Sequence, residues 1–211
     1  MKVIIINYGL GNLWSVKSAF EYVGASVNLS ADPKVIEDAE CLVLPGVGSF
    51  GTGMDNLRSC GLVDALNEAV MGKGTPILGI CLGMQLLANS SEEASGVKGL
   101  GWISGEVLKF KEKNLRLPHI GFNAVLFSQE NSPVFCGTDE SSDFYFVHSY
   151  CFTPEYEAHV LARTVYGASF VSAVRKDNIV GVQFHPEKSQ SNGLRLISDF
   201  LKFSKGGRTY G

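Results

Sequence analysis

A chain of 211 residues, 45% hydrophobic and 18% charged, has the composition of a globular protein and the length for one sizeable core. A formal net charge of -3 argues against nucleic acid as a partner. No apolar run reaches the roughly 18 residues of a membrane-spanning helix, so a membrane is not expected either.

The start, Met1-Lys2-Val3-Ile4-Ile5-Ile6, has too short an apolar part for a signal peptide and leads straight into fold-like sequence. Val3–Asn7 reads as a buried strand and Tyr8-Gly9-Leu10-Gly11-Asn12 as a glycine-rich turn. Leu13, Val16, Phe20 and Val23 recur at helical spacing, and Gly24 ends that helix. Ser26–Leu29 predicts a second strand, Asp32-Pro33 a capped helix start, and Cys41–Leu44 a third strand stopped by Pro45. Helices follow around Met54–Arg58 and Leu62–Val70. Thr75–Ile80 then reads as a buried strand, and Leu82, Met84, Leu86, Leu87 and Ala88 as a helix start. Strand and helix alternate over residues 1–90, the pattern of βαβ units around a mostly parallel sheet.

After Ser90 the helical patterns fade. Ile103–Phe110, Phe122–Phe127, Phe144–Val147, His159–Thr164, Phe170–Arg175 and Ile179–Phe184 read as strands, some joined by short polar turns such as Lys176-Asp177-Asn178. Consecutive short strands imply antiparallel pairing. A last helix, about Gly193–Phe203, carries Leu194, Ile197 and Leu201 on one side. Residues 1–204 are expected to form a single domain, with 205–211 a flexible tail. Five cysteines (Cys41, Cys60, Cys81, Cys136, Cys151) are odd in number, scattered and without a C-x-x-C pair. That argues for reduced thiols and a cytoplasmic protein rather than a disulfide frame. No His/Cys/Asp/Glu spacing suggests a metal, and no cofactor is expected.

Chemistry concentrates in two stretches. In the first, Gly79-Ile80-Cys81-Leu82-Gly83 joins a strand to a helix, with glycine two residues either side of a nucleophile. This is the pattern of a nucleophile elbow, written with Cys instead of Ser. The turn is so tight that side chains at the flanking positions would meet neighbouring backbone. It would lift the sulfur out of the sheet and set it at a helix N-terminus, which favours thiolate over thiol. Taken alone, Cys81 could equally be a small buried hydrophobe. In the second stretch, Gly181-Val182-Gln183-Phe184-His185-Pro186-Glu187, residues two apart on an extended backbone face the same side. Glu187 can therefore orient the His185 imidazole, the base-plus-orienter pair that a cysteine nucleophile needs. The alternative is a capped strand end with a solvated Glu187.

Gly46-Val47-Gly48-Ser49-Phe50-Gly51 also fits G-x-G-x-x-G after a strand. A dinucleotide site is disfavoured because Pro45 ends that strand abruptly and no acidic residue closes a second strand about 20 residues on. His119 and His148 read as hydrogen-bonded structural residues and His159 as a surface residue. Asp139, Glu140 and Asp143 read as a wet loop.

Taken together, in the order Cys…His…Glu, G-x-C-x-G-x-Q and H-P-E resemble the class I (triad) glutamine amidotransferases over essentially the whole chain. Five motifs narrow the resemblance to the glutaminase subunits of imidazole glycerol phosphate synthases. They are Asn7-Tyr8-Gly9-x-Gly11-Asn12, Pro45-Gly46-Val47-Gly48-x-Phe50-Gly51, Gly79-Ile80-Cys81-Leu82-Gly83-Met84-Gln85, Phe146-Val147-His148-Ser149-Tyr150 and His185-Pro186-Glu187-Lys188-Ser189. The resemblance implies an α/β, flavodoxin-like fold: a central, mostly parallel mixed sheet flanked by helices, with additional antiparallel strands in the second half. It implies Cys81 as nucleophile, His185 as base and Glu187 as its orienter. It implies oxyanion donors at the backbone N–H of Val47, after a local peptide rearrangement, and of Leu82. L-glutamine would be held by Gln85, Glu93, Ser149 and Tyr150, with Gly48 beside it. Gln85 is also plausible on spacing, since it lies one helical turn after Cys81.

The implied activity is hydrolysis of glutamine to glutamate and ammonia. The ammonia would pass to a (β/α)₈-barrel cyclase subunit in a heterodimer, which makes imidazole glycerol phosphate and aminoimidazole carboxamide ribotide in histidine biosynthesis. Three alternatives stay open: a paralogous subunit supplying ammonia to a surface-glycan pathway, a stand-alone cysteine hydrolase, and a binding subunit whose triad is vestigial. The chain departs from the family at Asn7, where Asp is common, and at Phe122, where Trp is common. Both regions, with the Gly9-Leu10-Gly11 turn, face the partner in the family.

Overall fold

The structure is a computed structural model that describes residues 1–111, 115–128, 134–135 and 141–206. The first half alternates as its periodicity predicts: β1 (Lys2–Ile6), α1 (Leu13–Tyr22), β2 (Ser26–Ser30), α2 (Pro33–Glu37), β3 (Leu42–Leu44), α3 (Phe50–Ser59), α4 (Leu62–Asn67), β4 (Ile77–Ile80) and α5 (Leu82–Gln85). Short polar side chains start the helices by accepting from otherwise orphaned backbone N–H groups. Asn12 takes Ser15 N–H, Asp32 takes Lys34 N–H ahead of Pro33, and Ser49 takes Thr52 N–H. The second half contains β5 (Ser90–Ser91), β6 (Gly105–Lys109), β7 (His119–Phe127), β8 (Ser141–His148), β9 (Tyr150–Pro154), β10 (Val160–Tyr166), β11 (Ala168–Lys176), β12 (Ile179–Val182) and α6 (Gln190–Gly206).

One large sheet runs β2-β1-β3-β4-β12-β11-β10-β7-β8. The pairings from β2 to β12 are parallel and those from β12 to β8 antiparallel. The antiparallel strands thus extend the parallel sheet. A smaller sheet, β5-β6-β9, is separately hydrogen-bonded and packs against the large one, Val107 and Phe152 meeting the core side of β11. Strand alternation splits the core between the two faces of the large sheet. Ile4 and Ile6 of β1 pack with Met54, Leu57, Leu62 and Leu66 of α3 and α4. Val3 and Ile5 pack with Val16 and Phe20 of α1 and with Leu196 and Phe200 of α6. The mixed sheet flanked by helices is the architecture that the sequence resemblance implies.

Several local readings need correction. The helix expected over Leu62–Val70 is α-helical only to Asn67 and continues as a π-helical turn, Glu68–Gly72. Strand β9 was not expected. It pairs antiparallel with β6, from Gly105 opposite Pro154 to Lys109 opposite Tyr150. Strand β12 pairs with β11 as a short hairpin should, but its other edge lies parallel to β4. All four of its residues are buried, as a strand inside a sheet covered on both faces requires. Asp143 belongs to β8 rather than to a loop, while Asp139, Glu140 and Cys136 lie outside the described residues. Lys205 and Gly206 finish α6 instead of starting a loose tail, and residues 207–211 lie outside the described residues.

Packing is very close where the start of α5 meets β3. A Cβ built on Gly83 would overlap the Leu44 carbonyl oxygen, a backbone atom that cannot swing aside. Gly83→Ala is therefore expected to lower unfolding free energy by about 3 kcal/mol, the upper part of the usual overpacking range. Urea unfolding measures this; a midpoint equal to the parent's would show that the crossing is looser than the geometry states.

Candidate active site

Four parallel strands end at one edge of the large sheet. Their registers, with Ile5 opposite Val43, Leu44 opposite Gly79 and Ile80 opposite Val182, bring the segments that leave these strands to the same place. Those segments carry Tyr8 after β1, Val47 and Gly48 after β3, Cys81 after β4 and His185 after β12. The carboxyl edge of a parallel sheet is where α/β proteins bind ligands. The Cys81 backbone N–H donates to the Val182 carbonyl at 2.8 Å, tying the β4 and β12 exits together.

Cys81 sits at φ 55° and ψ -108°, on the left-handed side that a residue with a Cβ rarely adopts. The expected steric reason for the flanking glycines holds: a Cβ on Gly79 would come within 2.8 Å of the Gly83 carbonyl oxygen. The corner closes on itself and leaves Cys81 at its apex. Helix α5 is shorter than the run from Leu82 to Ala88 suggests. It is a single turn, so few aligned peptides point at the sulfur.

His185 and Glu187 meet, but not by strand alternation. β12 ends at Val182, and Pro186–Lys188 forms a 3₁₀ turn. Proline starts such a turn readily because its φ is preset. The Lys188 N–H and the Ser189 hydroxyl both donate to the His185 carbonyl and close the turn. Glu187 is thereby folded back so that its Oε1 takes His185 Nδ1 at 2.8 Å, with both side chains 2% exposed. The solvated-glutamate alternative is excluded. His185 Nε2 has no hydrogen bond of good geometry among the described residues, yet it lies near enough to Cys81 for the two to interact. Burial pushes the imidazole pKa down. Hydrogen bonding and charge from Cys81 and Glu187 outweigh that and raise it to about 10.

These groups surround a cavity of about 330 Å³. Cys81, Leu82 and His185 line it, with Val47 and Gly48 from the β3 loop. Gln85, Glu93, Ser149 and Tyr150, expected to hold substrate, line it too. Glu187 stands behind His185 and is bonded to its ring. Glu93 also accepts the Phe50 N–H at 2.7 Å, so one of its oxygens secures the start of α3. Tyr8 donates its hydroxyl to the Pro45 carbonyl at 2.7 Å and fixes the base of the β3 loop. Burial, and then the charge at Cys81, hold that phenol strongly in its protonated form.

Pro118, Val147 and His148 also line the cavity, and sequence reasoning missed them in this role. His148 does make the structural hydrogen bonds expected of it: it pairs with His119 at 3.0 Å and with the Tyr150 carbonyl at 2.8 Å. Burial holds both rings in the neutral form, with pKa values of about 4 for His119 and about 3 for His148. His159 is half-buried. Gln183, also missed, lies wholly buried under the site. Its place directly before Phe184-His185 was the only available signal. Among the described residues no group of three or more His, Cys, Asp or Glu could hold a metal ion. Among the same residues no helix is long and apolar enough to cross a membrane.

Residues 4–203 match the family profile described as glutamine amidotransferase class-I. The chain is 49% identical over 201 residues to imidazole glycerol phosphate synthase subunit HisH 2 of Methanococcus maripaludis, an overlap of 95% of this chain and 98% of that one. It is 46% identical over 207 residues to subunit HisH 1 of the same synthase from Parasynechococcus marenigrum, covering 96% and 98% of the two chains. A crystal structure of a glutamine amidotransferase superposes with a TM-score of 0.76 at 21% identity, over 96% of this chain and 98% of that one, a likeness of fold. The matched profile spans nearly the whole chain, and the chain belongs to the class-I glutamine amidotransferase family.

Proposed function

We propose that residues 1–204 form one glutaminase domain, the subunit of an imidazole glycerol phosphate synthase that supplies its ammonia. It hydrolyses L-glutamine to glutamate. The ammonia passes to a (β/α)₈-barrel cyclase in a cytoplasmic heterodimer, which makes imidazole glycerol phosphate and aminoimidazole carboxamide ribotide for histidine biosynthesis. The observation that carries the chemistry is a strained Cys81 beside a His185 whose other ring nitrogen is locked to buried Glu187. The pathway reading is supported by the 49% identity to a subunit of that name.

The mechanism depends on where the proton rests. With His185 raised to about 10, the proton of the Cys81–His185 pair sits on the imidazole at neutral pH. The Cys81 sulfur attacks the glutamine carboxamide carbon. The oxygen that gains charge is met by the N–H groups of Leu82 and, after its peptide turns, of Val47. Each such donor is worth about 3–4 kcal/mol in the transition state. His185 then gives its proton to the departing nitrogen, and a thioester remains. Water attacks the thioester with His185 as base, the sulfur leaves as thiolate, and glutamate is released with the thiolate–imidazolium pair restored. Gln85, Glu93, Ser149 and Tyr150 hold the amino and carboxylate ends of the substrate. Ammonia is mostly protonated and non-nucleophilic in neutral water, so direct transfer to a docked cyclase preserves it. Val47, Ile120 and Phe122 are exposed, at 42%, 60% and 52%, and suit such docking.

Cys81→Ala is expected to lower glutamine-dependent turnover by about 10⁴-fold or more, while added ammonium salts still drive the cyclase. Assay of both nitrogen sources checks this, and persistent glutamine hydrolysis would remove Cys81 from its role. If the cyclase reaction is never driven by this chain, the glycan-pathway or stand-alone reading takes its place.

Glu187→Gln should lower turnover by about 10²–10⁴-fold, since the carboxylate that steadies imidazolium is lost. It should also alter the pH dependence of stability. A His185 pKa raised from 6.5 to about 10 gives a stabilisation fully present below about pH 6.5 and lost as pH rises toward 10. Unfolding free energies from pH 6 to 10 should fall less steeply in Glu187→Gln than in the parent. Parallel curves would place Glu187 outside the titration.

The loop from Pro45 to Gly48 is held at its base by Tyr8, while Gly48 sits at φ 111° and Val47 is exposed. A peptide flanked by Gly46 and Gly48 can rotate at little cost. The isolated chain is therefore expected to hydrolyse glutamine slowly. Docking of the cyclase and its ligand should stimulate it about 10²–10³-fold by turning the Val47 donor inward. Steady-state hydrolysis by the chain alone, with cyclase, and with cyclase plus acceptor reads this directly; three equal rates would sink the loop switch.

A further inference from the structure

Gln183 is 0% exposed, and an amide with no solvent must satisfy its donors and acceptor inside the protein. Its Nε2 lies 3.7 Å from Cys81 Sγ, and its Oε1 accepts from Gln85 Nε2 at 3.1 Å. We propose that Gln183 is a further catalytic residue: its side-chain N–H donates to the Cys81 sulfur and stabilises the thiolate that attacks the substrate. The proposal rests on the reading of Cys81 as nucleophile.

The direction of that donation is set by a chain of neighbours, each of which permits only one orientation. Asn123 Oδ1 accepts from the Ala124 N–H at 2.8 Å, so its nitrogen is the atom that faces the Val165 carbonyl and His119 Nε2. His119 must then donate from Nδ1 to His148 Nε2, and His148 from Nδ1 to the Tyr150 carbonyl. That carbonyl also accepts from Gln85 Nε2 at 3.1 Å. An oxygen of Gln85 cannot face the Tyr150 oxygen, so its nitrogen does, and the second proton of that nitrogen goes to Gln183 Oε1. Gln183 is left with its nitrogen toward the sulfur. Flipping it would set two nitrogens together at Gln85 and an acceptor against a thiolate.

The sulfur also has a backbone acceptor beside it. The Val147 carbonyl lies 3.9 Å away and suits the protonated thiol, which can donate to it. Cys81 therefore has a hydrogen-bond partner for each protonation state, and Gln183 favours the reactive one. The titratable groups facing it are His185 from the β12 exit and Tyr8 from the β1 exit. Glu93, His148 and Tyr150 share the cavity. None of these except protonated His185 supplies positive charge, so loss of the Gln183 donor should be felt.

The test uses the full-length chain and iodoacetamide, with the site of alkylation read by mass spectrometry because Cys60 is exposed. Gln183→Met removes the donor at similar volume, and Gln183→Glu sets a carboxylate in its place. The midpoint of Cys81 alkylation should move up by about one pH unit in Gln183→Met and further in Gln183→Glu. The kcat for glutamine should fall about ten-fold in Gln183→Met, with KM within about three-fold, since the hydrogen bond from Gln85 to Tyr150 survives. A merely structural Gln183 would leave the alkylation profile superimposed on the parent's, and that result overturns the proposal. Should the variants not fold, selective glutamine ¹⁵N labelling of the parent decides. The Gln183 side-chain N–H resonances should shift across the alkylation range and should not do so in Cys81→Ala; stationary resonances in the parent overturn the proposal. Glutamine hydrolysis retained by Cys81→Ala would instead show that the nucleophile is misassigned, whatever the Gln183 results.

Discussion

One backbone constraint governs the site: Cys81 is held at positive φ between glycines that cannot carry a Cβ. A residue at such φ and ψ costs about 1–3 kcal/mol, and it persists only where its surroundings over-determine it. Here they do. β4 is buried between β3 and β12, the Cys81 N–H is bonded to Val182, and the start of α5 is pressed onto the Leu44 carbonyl. Relaxing the corner would require β3, β4 or α5 to move, each of them anchored in the apolar core. Cys81 thus gains its position from packing that lies well outside the cavity.

The same packing explains which parts of the site are rigid. His185 is bonded through its backbone N–H to Tyr145, through its carbonyl to Lys188 and Ser189, and through its ring to Glu187. Gln85 is bonded to Tyr150 and Gln183. The β3 loop contrasts with both. It is fastened at Pro45 by Tyr8 and closes at Ser49 with the cap of α3, but between these points Val47 is exposed. Cys81 and His185 are thus held on several sides, and the β3 loop between Pro45 and Ser49 is the less fastened part of the cavity wall.

The antiparallel half supplies what the parallel half lacks. The carboxyl edge of the parallel strands carries Cys81 and His185 but leaves one side of the cavity open. The turn between β8 and β9 closes that side with His148, Ser149 and Tyr150. Its position depends on the neutral His119–His148 pair, buried against Phe146, Tyr166 and Phe170. Aromatic burial strips both rings of water and so keeps them neutral, which lets a directed chain of hydrogen bonds run through them.

What was legible in the sequence was what a few adjacent residues dictate. Gly79-x-Cys81-x-Gly83 encodes its own corner because the steric conflict lies within five residues, and His185 and Glu187 are neighbours on any path the chain could take between them. Hydrophobic periodicity likewise carried the βαβ order of the first half. That Glu93, Ser149 and Tyr150 line the cavity was legible only through family resemblance, since nothing local marks them. The remainder was decided by tertiary structure. β12 is a short buried run whose sequence does not say that one of its edges pairs parallel with β4. The 3₁₀ turn at Pro186, and not strand alternation, brings Glu187 beneath His185. Gln183 and Gln85, and His119 and His148, meet across 98 and 29 residues of chain. Such pairs leave no periodic trace, because their hydrogen bonds exist only after the sheet has brought distant strands together and removed the water that would otherwise satisfy them.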